Sequence, residues 1–557
     1  MKKIIIRILA IAIIFAGCTK DLDLSPQDTI TDAAFWKTPD DFKLAANNLY
    51  SCLAELNFGD TESDIAFNVN NSISNGSYQT SETSDEWNNA YIYIRRCNNL
   101  IEKAAASAIY DEIKKYEAEA LFFRAYNYWR LLRLFGGVPK ITKVLDLDSP
   151  ELYQQKADRG EIADLIISDL TLAAAYLPIS TELEPADVGR ITKSAADALR
   201  SRVALFEGTW IKFRDGENAG KYLDIAIEAS ATVMSSGQHT LYTGNGASSY
   251  RYLFIEEGDD TEETILDRRY QKDIAGQVQP ALIQRIGYLP TKKMADMYLC
   301  TDGLPVNKSS LFQGYNTQVS EYQDRDPRMT MTMMLPGSTT KQPSYASGVQ
   351  SWPFYPQRNP NTGYMLYKYM SENVFANSQG ESPNFSFDNH IIRYAEVLLI
   401  YAEARFEKDG AISDADLNTS INLLRQRAGM VELTNAFVAS NNLDMRNEIR
   451  RERTVELAFE NFRYDDLRRW KTAETEMPMA IKGIKVKGSN WTDPIVIQGS
   501  NRNPYAATSW QENTDADGFI IAESANGRSF DQLKHYLRPI PTKEILLNPN
   551  LEQNPGW

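Results

Sequence analysis

Histidine is scarce in this 557-residue chain: there are three, His239, His390 and His535, far apart in sequence. A histidine-built metal site or acid–base centre has little to draw on. Cysteine is nearly as rare. Beyond Cys18 there are Cys52, Cys97 and Cys300, with no C-x-x-C spacing, which offers neither a disulfide framework nor a zinc site. Cys52 and Cys97 fall on adjacent predicted helices and could pair, but buried free thiols are the preferred reading. Basic charge is also short, with 59 Lys and Arg against 74 Asp and Glu, a net charge of −15. A nucleic-acid partner calls for a basic face, and so does adhesion to anionic lipid, so neither fits. Phosphate-binding and zinc-protease motifs are missing: "GENAGK" has the wrong spacing for a P-loop, and no H-E-x-x-H occurs.

The one long apolar run, Ile4–Phe15, follows Lys2 and Lys3 and is shorter than the ~20 residues that span a bilayer. A basic start, a short apolar stretch and then small residues predict a secretory signal peptide over residues 1–17. Ala16-Gly17 before Cys18 resembles the bacterial lipoprotein signal, in which Cys18 becomes the acylated first residue. Phe15 stands where leucine is commoner. Asp21 and Asp23 resemble the surface-export tags of Bacteroidetes lipoproteins. Each buried acyl CH₂ contributes ~0.8 kcal/mol and one chain holds only marginally, so stable attachment implies more than one chain on Cys18.

What is abundant is helical period. Tyr394, Val397, Leu398, Tyr401 and Arg405 form one stripe, and Leu417, Ile421, Leu424 and Ala428 another that ends at Gly429, placed as a C-cap. We read these as a helical hairpin. Similar pairs run over 191–210 with 221–237, over 111–137 with 161–178, and over 39–56 with 87–107. Four degenerate hairpins predict a mostly α fold with tetratricopeptide-like stacking, carrying long loop-rich insertions and a few short β-hairpins. The expected layout is one unit over 18–557: a helical part to 235, a loop- and aromatic-rich ligand-binding part over 236–392, and a helical C-terminal part with a docked tail over 393–557. Short hairpins are expected near "IKVKG" and "DPIVIQG".

Aromatics make up 11 % of the chain. Many stand in Gly/Pro/Asn/Ser-rich stretches without period, among them Tyr250, Tyr298 and Tyr364. The run "QSWPFYPQRNPNTGY" sets Trp352, Phe354 and Tyr355 beside Arg358, Asn359 and Asn361, with prolines to stiffen it. A flat ring takes the C–H face of a sugar while amide and guanidinium groups take its hydroxyls. The competing reading is that each ring plugs its loop onto the core. A second candidate loop holds Phe67, Asn70, Asn71, Tyr78 and Trp87, and Trp87 leads straight into a helix, which favours a core role.

Five stretches carry a family resemblance: "FFRAYNYWRLLRLFGGVPKIT"; "LPTKKMADMYLCTDGLPV"; "EYQDRDPRM" with "TGYMLYKYM"; "IIRYAEVLLIYAEA…INLLRQRAG…IRRERTVELAFENFRYDDLRRW"; and the terminal "RPIPTKEILLNPNLEQNPGW". They span nearly the whole chain and resemble the SusD/RagB family of outer-membrane nutrient-binding lipoproteins. Asn461 stands where the family usually has glycine, and asparagine is the next-best residue for a left-handed turn. Glu452, Glu456 and Glu460 recur every four residues among Arg450, Arg453, Arg463, Arg468 and Arg469. We read this as an ion-pair network rather than the acid pair of a glycoside hydrolase. "RDPR" reads likewise as a turn clamped by charge. The resemblance implies a non-catalytic surface lipoprotein, anchored in the outer membrane through Cys18; the residues themselves suggest no cofactor and no metal site. It would capture oligo- or polysaccharide for a SusC-like TonB-dependent transporter. A peptide-binding importer component is the alternative, and a glycosidase the least supported.

Overall fold

In the computed structural model the described residues are 35–57, 59–277, 288–337, 339–344, 348–353, 361–371, 385–494, 496–497, 500–501 and 503–557; those at 339–344, 348–353, 496–497 and 500–501 are described by backbone alone. The leader, Cys18, Phe354, Tyr355, Arg358 and Asn359 lie outside them.

Helix α1 (Pro39–Leu49) begins at Thr38. The Thr38 hydroxyl accepts from the Asp41 N–H, and the Asp41 carboxylate accepts from the Thr38 N–H at 2.8 Å, a capping box with proline at the first helical position. Then come α2 (Asp85–Ala105), α3 (Tyr110–Phe135), α4 (Arg159–Tyr176), α5 (Lys193–Lys212), α6 (Ala219–Ser235) and, after the long insertion, α7 (Tyr394–Asp409). From α2 to α7 each helix packs on the next, giving the mostly α, repeat-like stack expected. Ala118, Ala120, Ala195, Ala402 and Ala404 are fully buried along it. Side chains this small let helix axes approach closely.

Two pairings differ from expectation. The neighbour of α7 is α6, across the insertion, rather than the following segment. That segment breaks at Ser420 (φ −135°, ψ −97°), outside the helical region, into Asp414–Asn418 and α8 (Ile421–Ala428). Leu417, Ile421 and Leu424 nevertheless stay buried, and Gly429 (φ 71°) ends α8 as a left-handed cap. At the N-terminus, α1 stops at Leu49 and packs on both α2 and α3, while the main partner of α2 is α3.

The insertion closes on itself. Strand Thr264–Arg268 pairs antiparallel with Asn389–Arg393, so the chain leaves and re-enters on one ladder. Within it Tyr250, Tyr298 and Tyr364 are at most 2 % exposed and form a second core with Met294, Met329 and Phe385. Expected in loops, these rings are core. Side chains from aperiodic segments can still meet in one apolar cluster, and large aromatics gain most from it. The strand at Ile481–Lys485 forms where "IKVKG" suggested, but it pairs with Phe519–Glu523; Val496–Ile497 pairs with Ser500–Asn501.

A buried charge network joins the second core to α9 (Met445–Glu456). Glu456, fully buried, accepts from Arg328 (2.9 Å), Arg393 (2.8 Å) and Arg427. Glu452 binds Arg328 and Arg425, and Glu460 binds Arg393 and Lys368. Burial alone would raise the Glu456 pKa; Arg427, Arg393 and Arg328 instead hold it well below the usual carboxylate range. The expected network exists, but its cations come from far along the chain. The nearby arginines serve other partners: Arg453 and Arg469 bind Asp466, Arg463 binds Asp64, and Arg468 donates to the Tyr536 carbonyl. In "RDPR", Asp326 clamps Arg328 at 2.7 Å.

The turn after α9 carries strain. Phe459 (φ 64°) and Asn461 (φ 70°) are both left-handed, an arrangement that costs a bulky residue about 1–2 kcal/mol. Lys368 Nζ donates to the Ala458 carbonyl at 2.7 Å and Tyr369 Oη to that of Phe459 at 3.0 Å. Asp60 accepts from the backbone N–H of Asn461 and Arg463. This turn leads into α10 (Arg463–Arg469). Cys52, Cys97 and Cys300 are buried free thiols, and burial pushes the Cys52 thiol up to about 11.

Candidate ligand-binding surface

Trp352 lies in strand Gly348–Pro353, paired with Thr339–Ser344 so that Trp352 stands opposite Thr340. This hairpin replaces the irregular loop expected there. The chain on either side is pinned at a stem. Met333 bridges Leu366, Met334 N–H donates to the Met365 carbonyl at 2.9 Å, and Tyr367 N–H donates to that of Thr332 at 2.7 Å. Arg251 reinforces the stem from beneath, 4.1 Å over the Tyr367 ring and donating to the carbonyls of Lys368 and Met370. Lys368, next along, belongs to the buried charge network; burial lowers its pKa to about 8, with Glu460 opposing. The excursion therefore starts and ends beside the buried charge network.

The second loop is assembled differently. Ala66–Phe67 pairs antiparallel with Leu289–Pro290, and the Phe67 ring is buried against Leu289 and Ile481. Beyond it Val69 and Asn70 are exposed. Asn71 Nδ2 donates to Glu523 Oε2 at 2.8 Å, and Asn75 Nδ2 to Glu523 Oε1 at 3.2 Å. Arg528 holds the same carboxylate and donates to the Ser74 carbonyl and hydroxyl, both at 3.0 Å. Gly76 (φ 78°) ends the short helix Ser72–Asn75; a Cβ there would lie 2.1 Å from the Ser529 carbonyl oxygen, so the close approach requires glycine.

Of the sequence candidates in this loop, Asn70 is exposed and Tyr78 half-buried, whereas Asn71 is 7 % exposed with its amide engaged by Glu523. Phe67 and Trp87 are corrected to core positions. Phe67 sits in the sheet just described. Trp87, 3 % exposed, lies in the first turn of α2 with its ring edge-on to Phe135 at 5.2 Å. Neither ring offers a face to a ligand.

Sequence reasoning missed two neighbours that the fold brings to this loop: Glu523 and Trp557. Trp557 meets Tyr78 edge-to-face at 5.9 Å and His535 at 5.8 Å. Its indole N–H is shared between the carbonyls of Lys534 and Leu537, which fixes the ring. A terminal tryptophan in "NPGW" was the available signal. Tyr78, His535 and Trp557 thus form a partly exposed aromatic cluster beside amide side chains. Among the described residues no group of three or more His, Cys, Asp or Glu could hold a metal ion, and no helix is long and apolar enough to cross a membrane.

The helical stack carries both candidate loops on hydrogen-bonded stems. Residues 260–557 match the model of the SusD family, and residues 27–205 match one described as starch-binding associating with outer membrane. The chain belongs to the SusD family. SusD-like protein P2 of Formosa agariphila is 26 % identical over 591 aligned residues, covering all of both chains. A solved SusD-like protein from Bacteroides fragilis is 24 % identical with a TM-score of 0.75, covering 96 % of this chain and 100 % of that one. A second from the same species, described as a SusD-like carbohydrate-binding protein, gives 24 % and 0.74, with 93 % and 100 % covered. At these identities the solved structures establish the shared fold.

Proposed function

We propose that this chain is a non-catalytic glycan-capture protein of the cell surface, anchored in the outer membrane through Cys18, that passes oligo- or polysaccharide to a SusC-like TonB-dependent transporter. The observation that carries the reading is family membership, with one matched model described as starch-binding and associated with the outer membrane. The loops supply suitable chemistry: ring faces for sugar C–H surfaces, amides and guanidinium for hydroxyls. In this reading the ligand meets Trp352, Phe354, Tyr355, Arg358 and Asn359 from the excursion, and Asn70, Asn71 and Tyr78 from the second loop. The expected division at 235 and 392 is part of the proposal, with the middle part supplying the excursion's contacts and the part before it those of the second loop.

A binding rather than hydrolytic role is supported by the carboxylates of α9 and the turn after it. Glu452, Glu456 and Glu460 are each clamped by guanidinium or ammonium groups and held below the ordinary carboxylate range, the reverse of what a general acid needs. A glycan array probed with purified protein, followed by reducing-end assays on every glycan bound, tests the reading. Binding without release supports it. Reducing-end release abolished by a single Asp or Glu substitution contradicts it. Labelling with a fatty-acid probe tests the anchor: wild type takes the label and Cys18→Ala does not, whereas equal labelling removes the anchor from the account.

A further inference from the structure

Between α3, α5 and α10 runs a crevice of about 690 Å³, within the range of small-molecule sites. One face of α3 forms its long wall: Tyr126, Trp129, Arg130, Arg133 and Leu134 fall at i, i+3, i+4, i+7 and i+8. The connector after α1 edges it, with Ser51, Ala54 and Glu55 exposed. Phe206, on α5, lies edge-on to Trp129 at 4.9 Å.

The lining carries seven arginines and seven carboxylates, and nearly all of the arginines are paired. Arg133 pairs with Asp465, Arg202 with Glu396, Arg268 with Glu55, Arg453 and Arg469 with Asp466, and Arg538 with Glu62 and Glu86. Arg130 alone among the lining arginines has no carboxylate within ion-pair distance among the described residues. It makes one long hydrogen bond, 3.4 Å, to Asn127 Oδ1. Two further donors of the lining, Arg453 Nη1 and Arg538 Nε, are buried without an acceptor among the described residues. A guanidinium presents its donors in a fork that matches a carboxylate, and here that fork stands one helical turn from Tyr126.

We propose that the crevice is a binding site for a small organic monoanion, its carboxylate on Arg130. The proposal does not rest on the glycan-capture reading.

Calorimetric titration of the purified full chain in detergent with sodium D-glucuronate tests this, with D-glucose as the neutral probe. Saturable binding of glucuronate is expected, with glucose at least tenfold weaker. Arg130→Gln removes the charge and is expected to weaken glucuronate about tenfold or more. Ala54→Glu, at the exposed edge, adds a repelling charge and is expected to weaken it too; the bonds of Ala54 to Tyr126 and Asn389 are made by its backbone and do not need its side chain. Should Arg130→Gln fail to fold, Ala54→Glu decides alone. Absence of saturable heat at millimolar glucuronate overturns the proposal. So does equal affinity for glucose, or unchanged affinity in the folded variants.

Discussion

Replacing Glu456 by glutamine isolates the electrostatic contribution of the buried network. The two side chains have the same shape, so no cavity forms. The change removes a charge that faces Arg328, Arg393 and Arg427 at 1–3 % side-chain exposure. Taking one partner from a buried ion pair costs about 3–5 kcal/mol, because the remaining charge stays buried and uncompensated. The amide also turns an N–H₂ towards guanidinium donors, so the upper part of that range applies. Unfolding entropy of about 2.1 cal/mol/K per residue gives roughly 1.2 kcal/mol/K for a chain of this length. The melting temperature should therefore fall by roughly 3–4 °C. Differential scanning calorimetry at pH 7 measures it, with Glu217→Gln as an exposed control expected within ~0.5 kcal/mol of wild type. The sign with pH is fixed as well. The folded pKa of Glu456 lies below its unfolded value, so its contribution is present above about pH 4.5 and is lost as pH falls through the folded pKa. The gap between wild type and variant should narrow in acid. A melting temperature equal to that of Glu217→Gln would refute the reasoning and leave the α9 carboxylates free for another role.

Trp87→Ala should lower stability by about 3–5 kcal/mol, the range for a deleted core aromatic, with unchanged ligand affinity in the folded fraction; normal melting with lost binding would return Trp87 to the ligand surface. His390 is buried, which would lower its pKa, but Asp267 at 2.7 Å overrides this and raises it to about 9. Its stabilisation is complete below pH 6.5 and lost as pH rises through 9, up to about 3 kcal/mol. His390→Gln should therefore be less stable than wild type at pH 6 and should close the gap by pH 9.5 in urea titrations; a constant gap would show that the charge plays no part.

The parts of the fold legible in the sequence were those fixed by neighbours within a few turns. The stripe through Leu398 and Tyr401, the cap at Gly429 and the left-handed turn at Asn461 all follow from local preference. The pairing of α6 with α7 was not legible, because over 150 residues of insertion lie between them and nothing local marks the return. Phe459 is a sharper case. Phenylalanine has no preference for φ 64°; the conformation is imposed by Lys368 and Tyr369, some ninety residues earlier. The row of glutamates on α9 announced ion pairing, but which arginines answer depends on tertiary placement, and Arg328, Arg393 and Arg427 replaced the helix's own. At the candidate surface, composition marked the loops and could not separate Asn70, exposed, from Phe67, two positions outside the open stretch and buried. Loop residues lack the periodicity that reports burial. Trp557 was overlooked because its contacts with Tyr78 and His535 form only once the C-terminal tail docks.

The most direct test of the glycan-capture account is calorimetric titration of wild type and Trp352→Ala with the glycan that scores highest on the array, beside their melting temperatures. An interface aromatic commonly contributes about 2 kcal/mol or more, so Trp352→Ala should bind roughly thirtyfold more weakly while melting with wild type. Wild-type affinity in a variant that melts several degrees lower would show Trp352 to be a packing residue and would contradict the placement of the ligand on this excursion.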